Sequence, residues 1–291
     1  MTAKIIDGKV LAQATRNRVR DEVALLKTKT GETPGLATVV VGEDPASHVY
    51  VNGKIRACKE VGINALDHWL PQNATSAALL DLLGRLSQDT AVHGILVQMP
   101  LPKQIADSDV FAAIPAQKDV DGFGFLNWGK FFKAKSISEL SNVFVPCTPL
   151  GILTILDSLN FTVEGKSACV IGRSNIVGRP MAHLLTLKNA TVTICHSHTQ
   201  NMGEITQKAD LIVVAIGKPN FLKENMIKSG ACVIDVGVNR LGDGTLAGDC
   251  DTKGLLNKAG YITPVPGGVG PMTIATLLQN TLAAFRRTNP L

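Results

Sequence analysis

At 291 residues, with 45% hydrophobic and 18% charged side chains, the chain can bury one large core or two smaller ones and has the make-up of an ordinary globular protein. Its net charge of +5 is spread out apart from Arg16, Arg18, Arg20 and the Arg286-Arg287 pair; with no basic stripe interleaved with aromatics, a nucleic-acid partner is not expected, whereas small anionic ligands would be suited. Six cysteines without a C-x-x-C pair, an N-terminus without an apolar signal core and no apolar run of bilayer length predict a protein of the reducing cytoplasm, not of a membrane.

Helical spacing runs over 8–27, where Val10, Leu11, Ala14, Val19, Val23 and Leu26 fall mostly on one side, and an apolar strand follows at 36–41. After a turn at 42–45, Ser47 is placed to cap a helix reaching about residue 61; a strand at 65–70, a helix at 76–86 and a strand at 94–98 come next. Residues 115–145 are rich in Gly, Phe, Lys and Ser and poor in periodicity, and predict a long loop and domain junction. Thr148-Pro149 then opens a helix by setting a capping hydroxyl before a proline. A second series follows, with a strand at 168–171, a helix at 177–188, strands at 191–194, 211–215 and 232–236, and a last helix over about 271–286. Strands alternating with helices predict an α/β fold of two domains, 1–144 and 145–270, the second a Rossmann-like doubly wound parallel sheet. The segment 271–291 is expected to pack back on the first domain, since chain termini often lie close together.

The stretch Ala168-Cys-Val-Ile-Gly172-Arg173-Ser174-Asn-Ile-Val-Gly178-Arg-Pro180 reads as a buried strand, a glycine turn and a helix start. Such a turn lets backbone N–H groups and the positive end of a helix approach a pyrophosphate. The usual Gly-x-Gly-x-x-Gly spacing would need glycine at Ser174 and Val177, so a plain βα turn remains an alternative on these residues alone. The next strand ends in Cys195-His196-Ser197-His198, with no Asp or Glu to hold a ribose 2′-hydroxyl. Arg173, Ser197 and the neighbouring histidines suit a 2′-phosphate instead, which favours NADP over NAD. His196-x-His198 has no further ligand at matching spacing, and no metal is expected.

Four places carry candidate chemistry. Tyr50 and Lys54 are four apart on a predicted helix and share a face; a lysine held from solvent beside a phenol can shuttle protons near neutral pH, and an exposed lysine lying over a tyrosine is the alternative. Gln98, at the carboxyl end of a buried strand, stands where open α/β sheets bind ligands, or simply satisfies the loop of Met99-Pro-Leu-Pro102. Asp119 and Asp121, in Lys118-Asp-Val-Asp-Gly122, bind a polar ligand or shape a turn. Pro264-Val-Pro266-Gly267-Gly268-Val-Gly-Pro-Met-Thr273 sets three glycines before a helix, which permits close approach of a ligand or makes an interdomain turn.

Taken in order, Ser47-x-x-Tyr50-Val-x-x-Lys54, His93-Gly94 leading to Gln98, Lys118-Asp-Val-Asp121-Gly122, Pro146-Cys-Thr-Pro149, Gly172-Arg-Ser-x-Ile-Val-Gly178 and the 264–273 run make the whole chain resemble the bifunctional methylenetetrahydrofolate dehydrogenase/methenyltetrahydrofolate cyclohydrolase family of one-carbon metabolism. The resemblance implies a homodimer with a cleft between a folate-binding and an NADP-binding domain. It implies oxidation of 5,10-methylenetetrahydrofolate and then hydrolysis to 10-formyltetrahydrofolate at one site. By it, Lys54 is the main acid/base residue, Gln98 tunes and positions it, Tyr50 lines the folate and Asp121 anchors the pterin. Gly172, Arg173, Ser174, Ser197 and Val238 would contact NADP, and Pro266, Gly267 and Gly268 would border the folate. Met99 stands where the family has leucine, and Gly124-Phe125 where many bacterial members have His-Pro, which bears on the shape of the pterin-side loop. A monofunctional dehydrogenase and a non-catalytic NADP-binding regulator are the competing readings. A short-chain dehydrogenase fits poorly, because its glycine turn precedes the tyrosine–lysine pair.

Overall fold

In the computed structural model, which describes residues 2–289, the chain begins with strand β1 (Lys4–Ile5), helix α1 (Gly8–Thr30), β2 (Gly35–Val41), α2 (Pro45–Val61), β3 (Asn64–Leu70), α3 (Ser76–Gln88) and β4 (Gly94–Val97). It continues through α4 (Asp107–Ala113), α5 (Phe125–Lys133), a 3-10 turn (Ile137–Leu140), α6 (Cys147–Ser158), β5 (Ser167–Ile171), α7 (Gly178–Leu187), β6 (Thr191–Cys195), α8 (Met202–Thr206) and β7 (Leu211–Val214). A second 3-10 turn (Glu224–Met226), β8 (Cys232–Asp235), the ribbon β9 (Asn239–Arg240) and β10 (Leu246–Ala247), α9 (Thr252–Leu255), β11 (Tyr261–Ile262) and α10 (Val269–Thr288) complete it.

These elements fall into two units. The first holds Gln13–Lys133, Leu140–Cys147 and Ile274–Leu291. Its parallel sheet has the order β3-β2-β4, and all seven residues of the central β2 are buried, so that strand reads as one apolar run. One face packs on Val19, Val23, Leu26, Leu277, Leu282 and Phe285; the other lies over Leu79, Leu83 and Val110. The second unit holds Met1–Ala12, Ala134–Glu139 and Thr148–Thr273 around a six-stranded parallel sheet of order β1-β11-β8-β7-β5-β6. Between β6 and β7 the winding reverses about β5, which is the switch point where doubly wound sheets bind ligands.

This division departs from a break at 144/145. Lys4 and Ile6 N–H groups bond the carbonyls of Gly260 and Ile262, so the first residues form the edge of the second unit's sheet. A two-residue strand carries no periodic signal to reveal this. The 115–145 loop also proves partly helical, as α5. There the buried Asp119 carboxylate accepts from Phe123 N, Gly124 N and Asn127 Nδ2 at 3.1, 2.8 and 2.8 Å, anchoring the helix start. Phe131 is fully buried while Phe125 and Leu126 are 61% and 57% exposed, which blurs the apolar spacing.

Helix α2 starts two residues before the predicted Ser47 cap. Asp44 is the N-cap, accepting from Ser47 N and Ser47 Oγ at 2.8 Å each, and Pro45 follows at the first turn. Gly62, at φ 79°, ends the helix. Gly53, a mid-helix glycine, is not required by close packing: an added Cβ would lie 3.7 Å from Ile274 Cδ1, an ordinary contact. Gly53→Ala is therefore expected to raise stability by about 1 kcal/mol, read as a higher urea midpoint at unchanged slope.

Candidate functional site

Lys54 sits on the face of α2 turned into the first unit and is only 9% exposed. Its Nζ donates to Gln98 Oε1 at 2.9 Å, just beyond the end of β4. Gln98 Nε2 donates to the Met99 carbonyl at 2.7 Å, which fixes the amide with its oxygen toward the lysine. Burial pushes the Lys54 ammonium below its ordinary range, opposed first by the Asp121 carboxylate and then by the Cys147 and Cys58 thiols. Tyr50 is 39% exposed one turn earlier, and burial raises its phenol so that it stays neutral at physiological pH.

The two aspartates that the sequence could not separate have different environments. Asp119 is buried, spends its oxygens on the α5 start, and is pushed up to about 6 by desolvation. Asp121 is half-buried, with Lys54 near enough to feel its charge. The following Gly122 has φ 72°, and a Cβ there would lie 2.6 Å from the Phe144 carbonyl oxygen. His93 is structural, its Nδ1 accepting from Gly35 N at 3.0 Å. Sequence reasoning assigned no role to Cys147 or to Asn280, which stand behind Asp121.

In the second unit the β5–α7 turn is built for close approach. Gly172 has φ 125°, and a Cβ there would overlap the Ala215 carbonyl; a Cβ on Gly178 would overlap the carbonyl of Gly172. Ser174 Oγ accepts from Val177 N at 3.2 Å and Gly178 N at 3.4 Å, capping the entry to α7. Arg173 and Ser197, both exposed, each stand two residues past the last paired residues, Ile171 and Cys195, at the carboxyl ends of β5 and β6. Val238 is 43% exposed, three residues past the end of β8.

Two buried carboxylates that the sequence reading missed stiffen this rim. Asp249 accepts from the N–H groups of Ile216, Gly217 and Lys218 at 2.7, 3.0 and 2.8 Å, and from Asn239 Nδ2 at 2.9 Å. Asp235 accepts from Gly237, Asp249 and Cys250 N–H groups, and desolvation pushes it up to about 6. No motif spacing marks them; only the fold brings the loops after β7 and β8 together.

The 264–273 segment also lies in the second unit up to Thr273. Gly267 has φ 109° and lies under the Lys9 side chain, while a Cβ on Gly268 would fall 2.6 Å from the Pro264 carbonyl oxygen. Gly8 in turn must be side-chain-free, because a Cβ there would overlap the Gly268 carbonyl. Thr148 and Thr273 share a 3.0 Å hydroxyl contact. The structure therefore groups Tyr50, Lys54, Gln98 and Asp121 in the first unit, and groups Gly172, Arg173, Ser174, Ser197, Val238 and Pro266–Gly268 in the second.

Comparison with known proteins divides the chain between residues 121 and 146. Residues 6–121 match the family profile described as the tetrahydrofolate dehydrogenase/cyclohydrolase catalytic domain, and residues 146–289 match its NAD(P)-binding domain. The bifunctional protein FolD of Campylobacter hominis is 52% identical over 283 residues, 97% of each chain. Among solved structures, the bifunctional FolD dehydrogenase/cyclohydrolase of Campylobacter jejuni is 44% identical with a TM-score of 0.93, covering 98% of this chain and 99% of that one. The Trypanosoma brucei dehydrogenase-cyclohydrolase, solved with NADP cofactor and inhibitor, is 37% identical with a TM-score of 0.95, covering 100% of both. Among the described residues, no helix is long and apolar enough to cross a membrane.

Proposed function

The chain belongs to the tetrahydrofolate dehydrogenase/cyclohydrolase family, and from that premise we propose that Lys54 is the acid/base centre of an NADP-dependent enzyme with two successive folate activities. The first oxidises 5,10-methylenetetrahydrofolate to the 5,10-methenyl form; the second hydrolyses that product to 10-formyltetrahydrofolate. The observation that carries this reading is the buried Lys54 bonded to Gln98 at 2.9 Å.

Bound NADP supplies the hydride acceptor for the oxidation. The residues fit the cofactor: the glycine turn leaves no room for side chains where a pyrophosphate would approach, and Arg173 and Ser197 offer a cation and a donor for a 2′-phosphate. Hydride loss is assisted by the folate's own nitrogen lone pairs, so the protein's task in that step is to hold the reactants in register.

Hydrolysis asks more of the side chains. Neutral Lys54 takes a proton from the water that attacks the methenyl carbon. As the bond from that carbon to N5 breaks, the resulting ammonium returns a proton to N5 and the formyl group stays on N10. One proton is released overall, balancing the lost positive charge of the substrate. Gln98 Oε1 holds Nζ in place through the cycle, and Tyr50 offers a flat face to the folate rings. The Asp121 carboxylate can accept two parallel bonds from the pterin's amino and ring N–H groups. The bare backbone of Pro266, Gly267 and Gly268 is a second surface that a flat ligand can approach.

The test is turnover of 5,10-methylenetetrahydrofolate with NADP, following NADPH, together with the decay of added methenyltetrahydrofolate above its spontaneous rate. NADPH without accelerated decay would reduce the enzyme to a dehydrogenase; NADP binding without either activity would leave a regulator. The cofactor preference has its own test. Replacing both Arg173 and Ser197 by alanine is expected to raise the Michaelis constant for NADP about 10–100-fold and to leave that for NAD within a few-fold, since only the 2′-phosphate loses partners. A lower constant for NAD than for NADP in the parent would overturn the preference. The protein is further proposed to act as a cytoplasmic homodimer. Its six free, buried cysteines suit a reducing compartment, and light scattering at twice the chain mass would support the dimer.

A further inference from the structure

Behind Asp121 lies a small polar cluster that the two chemical steps do not use. Asn280, on the buried side of α10 among Leu277, Ala284 and the buried Thr276, is 8% exposed. It donates one amide hydrogen to the Val120 carbonyl at 2.8 Å and approaches Cys147 Sγ with the other at 3.5 Å. Cys147, the first residue of α6, is buried, and its thiol donates to the same Val120 carbonyl at 3.4 Å. A carboxamide buried among Leu277, Ala284 and Cys147 costs about 1–3 kcal/mol unless its hydrogens are used. Both contacts lead to Val120, the residue before Asp121.

We propose that Asn280 is a positioning residue: by clamping Val120, directly and together with Cys147, it fixes the adjoining Asp121 carboxylate in the place from which it binds the folate ring and faces Lys54. The inference rests on the proposed pterin role of Asp121. The backbone on either side supports it. Val120 is fully buried and clamped by Asn280, and Gly122 is held at φ 72° against the Phe144 carbonyl, so Asp121 is suspended between two fixed points. Removing the clamp frees one of them.

The experiment is steady-state kinetics of Asn280→Ala beside Asp121→Ala, with the pH profile of the hydrolysis. Asn280→Ala is expected to raise the Michaelis constant for 5,10-methylenetetrahydrofolate about tenfold and to change that for NADP less than twofold. The limb of the hydrolysis profile set by Lys54 moves to lower pH. The groups facing Lys54 are Asp121, Cys147 and, on its own helix, Cys58, and Asp121 is the one that most favours the ammonium. Asn280→Ser, which keeps a single donor, falls between parent and alanine. Should Asn280→Ala not fold, Cys147→Ala cuts the same link from α6 and carries the same expectation. A folded Asn280→Ala enzyme with parental folate affinity and an unmoved limb overturns the positioning role, and leaves the proposed function standing if Asp121→Ala still weakens folate. An unaltered folate constant in Asp121→Ala overturns both.

Discussion

Lys54→Met is expected to lower the rate of methenyltetrahydrofolate hydrolysis about a thousandfold, the scale of a lost general acid/base group. The oxidation is expected to suffer far less, because no side chain must move a proton to release the hydride. Methionine fills much of the same volume and cannot titrate, so the contrast between the two rates isolates proton transfer from packing. The decay of methenyl absorbance gives one rate and NADPH formation the other. Parental hydrolysis in the variant would remove Lys54 from the mechanism.

The same substitution has a stability signature of definite sign. Burial holds the folded-state pKa of Lys54 below its ordinary 10.5. Between the folded value and 10.5 the unfolded chain binds the extra proton, so stability rises with pH through that window, and below it the whole cost of the buried charge is borne. Lys54→Met is thus expected to melt at a higher temperature than the parent at neutral pH, with the gap narrowing as pH approaches 10.5.

Gly172→Ala is expected to abolish detectable NADP binding and to lower the melting temperature. At φ 125° an L-residue is strained by about 1–3 kcal/mol, and the new methyl must also displace the Ala215 carbonyl at the end of the adjacent β7. The displacement opens the turn on which the pyrophosphate would rest. Gly165→Ala separates the two causes, since Gly165 has φ 72° but nothing within 4 Å of an added Cβ. It should lose only about 1–2 kcal/mol from strain and keep its cofactor. Fluorescence titration with NADPH and thermal melts read both effects; parental affinity in Gly172→Ala would show that the close approach is not needed for binding.

Much of this architecture can be read from residue order because it is locally encoded. The β5–α7 turn announces itself through Gly172 and Gly178, and Lys54 meets Gln98 because a helix face and a strand end are both periodic features. What could not be read depends on contacts distant in sequence. Lys4–Ile5 and Tyr261–Ile262 are too short to show alternation and become strands only by pairing with each other and with β8. Asp119 and Asp121 look equivalent in Asp-Val-Asp, and only the buried clasp around the start of α5 gives one to structure. Asn280 resembles any polar residue on an amphipathic helix until Val120, 160 positions earlier, is found against it.

The division of each unit into three separate stretches of chain has a bearing on biosynthesis. The second unit's sheet takes β1 from the first residues and β11 from Tyr261–Ile262, and the first unit's core takes Leu277, Leu278, Leu282 and Phe285 from the last helix. A chain emerging from the ribosome therefore exposes unfinished apolar surface in both units until first β11 and then α10 have been made. A polypeptide that lacks α10 is expected to keep an open core in the first unit rather than to fold as a smaller working enzyme.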